Sequence, residues 1–173
     1  MDIVVFGPRD AEDIKAYIVD NHDRFSLDPS KDPGATHQIL YFNLHWGLGL
    51  RCKVDILTSG RNSALQIPSI PRQYVTYLGA NDDIPVVPLL VLLILKVQGW
   101  RDNSAKKKKK KAKILRDIRD VDTLLDMMDE DDQLYRYRWL PKWFFENAEQ
   151  LITSYTFEFP GTAYLFRDLG FDV

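Results

Sequence analysis

Arg51-Cys52-Lys53-Val54-Asp55-Ile56-Leu57 is the stretch on which the fold of this chain turns. Alternation puts Cys52, Val54 and Ile56, with Leu50 before them, on one face of a strand, and Arg51, Lys53 and Asp55 on the other. Asp55 is thereby fixed near the end of a rigid element, and strands hold side chains more closely than loops do. A carboxylate so placed can act as a metal ligand or a general base. The plainer alternative is a half-buried strand that shows its polar side to water.

Working outward, residues 37–44 read as a second strand joined to residues 50–58 as a hairpin, with Trp46-Gly47-Leu48-Gly49 in the connection. Upstream, residues 3–6 form a β-rich run closed by Gly7-Pro8. Pro8 suits a helix start, and Ile14, Tyr17 and Ile18 fall at helical spacing as far as Asn21. Residues 25–27 read as a short strand before a turn-rich loop containing Pro29, Ser30, Asp32, Pro33 and Gly34. Downstream, Pro68 and Pro71 exclude regular helix, and residues 74–78 and 84–87 read as short strands about the turn at 79–83.

Pro88 then opens a helix from Leu89 to about Trp100 that is apolar on all sides and must be enclosed. Lys96 is its exception, and its ammonium is either partly buried and paired or reaches along the helix to a cleft. After it, residues 104–113 include six consecutive lysines at 106–111. Like-charge repulsion predicts a solvated loop there, with a nuclear-import signal or a nucleic-acid contact as alternatives. Ile114, Ile118, Val121, Leu125 and Met128 mark an amphipathic helix, on whose wheel Asp117 falls inside the apolar sector and Asp120 at its margin. A buried charge requires a partner. Lys96 and Asp117 either bridge to each other or face a phosphate site. The remainder is aromatic-rich and helical, its aromatics spaced as core rather than as base-stacking platforms.

Composition sets the outer limits. With 173 residues, 45% of them hydrophobic, the chain can bury a core without staples. A net charge of −2 and a sequence pI near 5.9 give no global cause for nucleic-acid binding, so any basic surface must be a patch. The lone Cys52 permits no intrachain disulfide and suggests an intracellular compartment, cytoplasmic or nuclear. One Cys and the scattered His22, His37 and His45 lack zinc-ligand spacing. The start of the chain does not read as a signal peptide, and the most apolar run, residues 86–97, falls short of the ~20 residues of a membrane span.

Three pieces, in this order, carry a resemblance: Asp2-Ile3-Val4-Val5, then Lys53-Val54-Asp55-Ile56-Leu57, then Leu95-Lys96-Val97-Gln98-Gly99-Trp100 followed by Arg116-Asp117-Ile118-Arg119-Asp120-Val121. Together they resemble the nucleotidyltransferase fold of the polymerase-beta superfamily. More narrowly, they are similar to minimal nucleotidyltransferase-like proteins of fungi and to nucleotidyltransferase toxins of bacterial abortive-infection systems. The resemblance spans residues 2–128 and implies an α+β fold. Its core is a small mixed β-sheet with flanking helices at 1–103, followed by the Lys-rich loop at 104–113 and a C-terminal helical segment at 114–173 packed on the core.

What the resemblance implies about chemistry is transfer of a nucleotide from a nucleoside triphosphate to an acceptor. Clustered carboxylates there hold two Mg2+ ions about 3.5–4 Å apart. By resemblance Asp2 takes the place of the second carboxylate of a strand-borne pair and Asp55 that of the third, which makes them the catalytic and metal-binding residues. Lys96 matches a lysine facing the nucleotide phosphates, Asp117 and Asp120 match acidic positions of the last helix, and Lys53 joins this nucleotide-binding set. The first carboxylate and the family's Gly-Ser turn would lie ahead of Met1, so the expectation is a domain incomplete or inactive as an enzyme. A non-catalytic binding or oligomerisation module is the alternative, and nucleic-acid binding through the Lys-rich loop is a third. The uncovered apolar surface beside residues 2–6 further predicts a homo-oligomer, most simply a two-fold dimer.

Overall fold

The structure, a computed structural model, describes residues 1–7, 9–30, 34–44, 49–63, 65–80, 83–105 and 111–173. Pro8 as a helix opener, most of the connection at 46–49, part of the loop at 29–34, part of the turn at 79–83 and the lysines at 106–110 lie outside those residues. The fold is α+β, and its contacts divide it into two compact units, Met1–Ile67 and Pro68–Val173.

The first unit is a four-stranded mixed sheet with one helix. Strands β1 (Asp2–Val5), β2 (Phe25–Pro29), β3 (Gln38–Asn43) and β4 (Arg51–Thr58) lie in the order β1-β4-β3-β2. β3 and β4 are the expected antiparallel pair, β2 extends it, and β1 runs parallel to β4. One face of the sheet carries Leu40, Val54 and Ile56, which are buried, with Ile3, Val5, Phe25, Leu27 and Phe42 partly buried around them. Helix α1 (Ala11–Asn21) contributes Ile14, Ile18 and Val19 to the same cluster. Its start is fixed by Asp10, whose side chain accepts from the Asp13 amide at 2.8 Å.

Lys15 ties this helix to the sheet. Its ammonium, almost buried, donates to Glu12 Oε1 at 2.6 Å and to the Gln38 carbonyl at 2.7 Å. Burial pushes the Glu12 carboxyl up, but hydrogen bonds from Lys15 and the Gln38 amide, with the charges of Lys15 and His37, outweigh it and hold the group below its ordinary value. The Lys15–Glu12 ion pair is therefore intact at neutral pH and is lost as the pH falls through that lowered value, whereas the bond to the Gln38 carbonyl does not need the charge on Glu12.

The second unit holds a short antiparallel pair, β5 (Thr76–Leu78) and β6 (Ile84–Val86), and the helices α2 (Leu89–Ala105), α3 (Lys111–Met127), α4 (Lys142–Glu158) and α5 (Ala163–Asp168). Leu90, Val91, Leu93, Ile94 and Val97 of α2 are buried completely, as an all-round apolar helix requires. α3 adds Val121, Leu124 and Leu125, and α4 adds Phe144, Ala148, Leu151, Ile152 and Tyr155. The aromatics are core: Tyr155 meets Trp100 edge-on at 4.9 Å and Phe166 at 6.1 Å, and Phe166 meets Phe171 at 6.3 Å.

Two expected boundaries move. α2 runs to Ala105 rather than ending near Trp100, and α3 begins at Lys111 rather than Ile114, because Arg101, Asp102, Asn103 and Ser104 carry no breaker and α2's packing outweighs the modest helix penalty of Gly99. The division between units falls after Ile67, and α2 groups by its contacts with the C-terminal helices.

Candidate functional site

Parallel pairing of β1 with β4 sets Asp2 opposite Asp55, Ile3 opposite Ile56 and Val4 opposite Leu57. Residues opposite one another in a sheet share a face, and Ile3 and Ile56 face the core, so Asp2 and Asp55 stand together on the other side. The register is pinned where it matters. The Asp55 amide donates to the Met1 carbonyl at 2.8 Å, and the Met1 amino group donates to the Lys53 carbonyl at 2.9 Å.

Asp55 is half-exposed, with 45% of its side chain accessible, and Lys53 lies beside it on the same face. The Lys53 ammonium reaches both carboxylate oxygens, at 2.7 and 2.9 Å. Further across the sheet Tyr41 is opposite Lys53, the Arg51 guanidinium lies 4.0 Å over the Tyr41 ring, and Arg51 pairs with Asp28 at 2.6 Å. The hydrogen bond to Asp28, then the charges of Asp28 and Tyr41, raise Arg51 above its ordinary value against a desolvation effect of opposite sign. Asp2, Asp55, Lys53, Arg51 and Asp28 thus form a charged row across the solvent side of the strands.

Two hard carboxylates in register suit one hard cation that keeps several waters, the usual habit of Mg2+. Among the described residues no group of three His, Cys, Asp or Glu side chains converges on a single metal position. Alternation had already put Arg51 on this face, whereas Tyr41 and Asp28 escaped the sequence reading as part of this row. The hairpin register would have revealed Tyr41, since alternate residues of 37–44 and 50–58 must share a face, but Asp28 needs the pairing of β2 with β3 as well.

In the second unit the remaining predicted residues line the contact of α2 with α3. Lys96 pairs with Asp120 at 2.7 Å, their side chains 38% and 34% exposed. Asp117 is buried, as its place on the wheel requires, and accepts from the Asn103 side-chain amide at 2.6 Å. Of the two alternatives for Lys96 and Asp117, the mutual bridge does not form: each charge has a different partner. Reversed order along the two helices, 96 with 120 and 103 with 117, is that of an antiparallel helical pair.

Neither a scan against protein-family models nor a search of curated proteins gives a match. Among solved structures, the chain is similar to an antigenic nucleotidyltransferase-like protein from Paracoccidioides brasiliensis, with a TM-score of 0.61 and 12% identity over 96% of this chain and 73% of that one. On this likeness the chain has a nucleotidyltransferase-like fold.

Proposed function

We propose that this protein binds a nucleoside triphosphate together with one divalent cation at the Asp2–Asp55 pair. The single observation that carries the reading is the register that sets those two carboxylates side by side on the face of the sheet away from its core. The oxygens of Asp2 and Asp55 would hold the cation, and Mg2+ when bound would neutralise phosphate charge. Lys53 keeps Asp55 charge-balanced until then. Half-exposed and on a flexible stem, it is free to turn from Asp55 to a phosphate as a point charge. One cation supports binding of a nucleotide, whereas in-line transfer by the two-metal route needs two. Transfer is accordingly reduced or lost on this reading.

A second reading is favoured by the Lys53–Asp55 ion pair itself. A carboxylate gripped through both oxygens can serve simply as a structural clasp along β4 in a non-catalytic module. Calorimetry separates the two. Titration of a nucleoside triphosphate should give heat that requires Mg2+, and Asp2→Asn or Asp55→Asn should weaken it by at least the ~10–100-fold that follows disturbance of a metal's outer partners. Binding that persists in chelator, or is indifferent to both substitutions, would leave the clasp as the better description.

A further inference from the structure

Charge from residue 106 onward is sorted by sign. Residues 106–119 hold nine of the chain's 23 Lys and Arg with one acid, Asp117, whereas residues 120–132 hold seven acids and no base. Lys111, Lys113, Arg116 and Arg119, the four described bases of this run, are all exposed on α3. Helical spacing would let Lys113 pair with Asp117 and Arg116 with Asp120, each four residues on. The fold withdraws both acids: Asn103 holds Asp117 within the α2 contact, and Lys96 takes Asp120. None of the four bases forms an ion pair with a described residue.

The same order opposes the helix dipole, which favours acids at the beginning of a helix and bases at its end. α3 has no acid in its first turn and no base in its last. Positive charge left unpaired, and placed where the helix disfavours it, is explained by neither packing nor helix stability.

We propose that the N-terminal half of α3 is a docking surface for a nucleic-acid backbone, contacted through its phosphates without sequence preference. The four bases span about 12 Å of helix at 1.5 Å per residue, and side chains as long as Lys and Arg extend that reach over several phosphates. No aromatic side chain lies among them to stack on a base. A membrane surface fits less well: the apolar face of α3 is committed to the core through Val121, Leu124 and Leu125, and Leu115 is the one large apolar side chain left exposed among the bases. The lysines at 106–110 adjoin in sequence but lie outside the described residues, and the surface is defined by the other four. The proposal does not rest on the cation site of the sheet.

Fluorescence anisotropy with a labelled DNA duplex and a labelled single-stranded RNA tests this on the full chain, in chelator and without nucleotide. Four phosphate contacts on the duplex give a log–log salt slope of about −3.6, a loss of affinity of about 150-fold for a fourfold rise in salt. The double variant R116Q/R119Q should flatten that slope by about 1.8 on the duplex and about 1.4 on the single strand. R116K/R119K should restore it, and Lys142→Gln, at an exposed position on α4, should leave it unchanged. Circular dichroism checks that each variant is folded. Absence of binding at low salt, or binding indifferent to R116Q/R119Q, overturns the proposal. So does binding to vesicles of anionic phospholipid with none to nucleic acid, which would assign the surface to a membrane.

Discussion

Phe144→Ala should lower the unfolding free energy by about 3–5 kcal/mol, the cost of emptying a fully buried aromatic position. Phe144 is completely enclosed near the start of α4, in a cluster that joins α2, α3, α4 and α5, and its ring meets Trp143 edge-on at 5.8 Å. Truncation removes both the buried area and the contacts of its neighbours, which in a close-packed cluster relax only in part. Phe144→Leu keeps most of the volume and should cost less than about 1.5 kcal/mol. With typical domain stabilities of about 5–15 kcal/mol, the alanine variant should show a large fall in urea midpoint, and a fall no greater than that of the leucine variant would mean that the site is not a packed core.

Asn103→Leu should cost about 1.5–3 kcal/mol although it exchanges side chains of similar length. The reason is Asp117, which is buried and loses the 2.6 Å hydrogen bond from the Asn103 amide. An acceptor left without that donor bears its desolvation cost. Asn103→Leu combined with Asp117→Leu removes both partners and should recover much of the loss, because two apolar side chains can pack where a polar pair stood. Lys96→Met is the contrast: its partner Asp120 is a third exposed, so loss of the ion pair should change stability by less than about 1 kcal/mol. Urea titration of the three variants reads all of these. Equal costs for Asn103→Leu and Lys96→Met would contradict the assignment of partners.

Those pairings mark where sequence stopped being legible. The wheel of residues 114–128 correctly buried Asp117, since apolar periodicity fixes which angle of a helix faces the core. It could not say which residue of the neighbouring helix lies opposite, because that depends on axial offset and crossing angle. The bridge from Lys96 to Asp117, one of the two alternatives, therefore named the wrong acid, and Asn103, an unremarkable polar residue just ahead of the expected loop, was missed. In the sheet the period of two is absolute, and once residues 51–58 are a strand the faces of Lys53 and Asp55 follow without further information. The register of Asp2 with Asp55 is a different kind of fact. Nothing in residues 2–5 alone chooses a partner strand, and only the resemblance to nucleotidyltransferases brought the two carboxylates together before the structure did.

The reach of the hairpin explains the rest. Arg51 over Tyr41 and against Asp28 joins three strands, so neither residue stands out along the chain, although each is conspicuous on the folded face. The Lys15 tie to Glu12 and to the Gln38 carbonyl likewise combines a local helical spacing with a contact 23 residues away. Local contacts are visible in sequence, whereas long-range ones need the topology.

The central claim, that Asp2 and Asp55 form one cation site, is tested most directly by adding Mn2+ to the isotopically labelled protein and mapping which backbone amide signals broaden. Broadening should be strongest at residues 2–4 and 54–56, and Asp55→Asn should remove it. Broadening centred instead on the acidic run Asp129, Glu130, Asp131 and Asp132, and unaffected by Asp55→Asn, would contradict the claim and reduce the paired carboxylates to a feature of the strand edge.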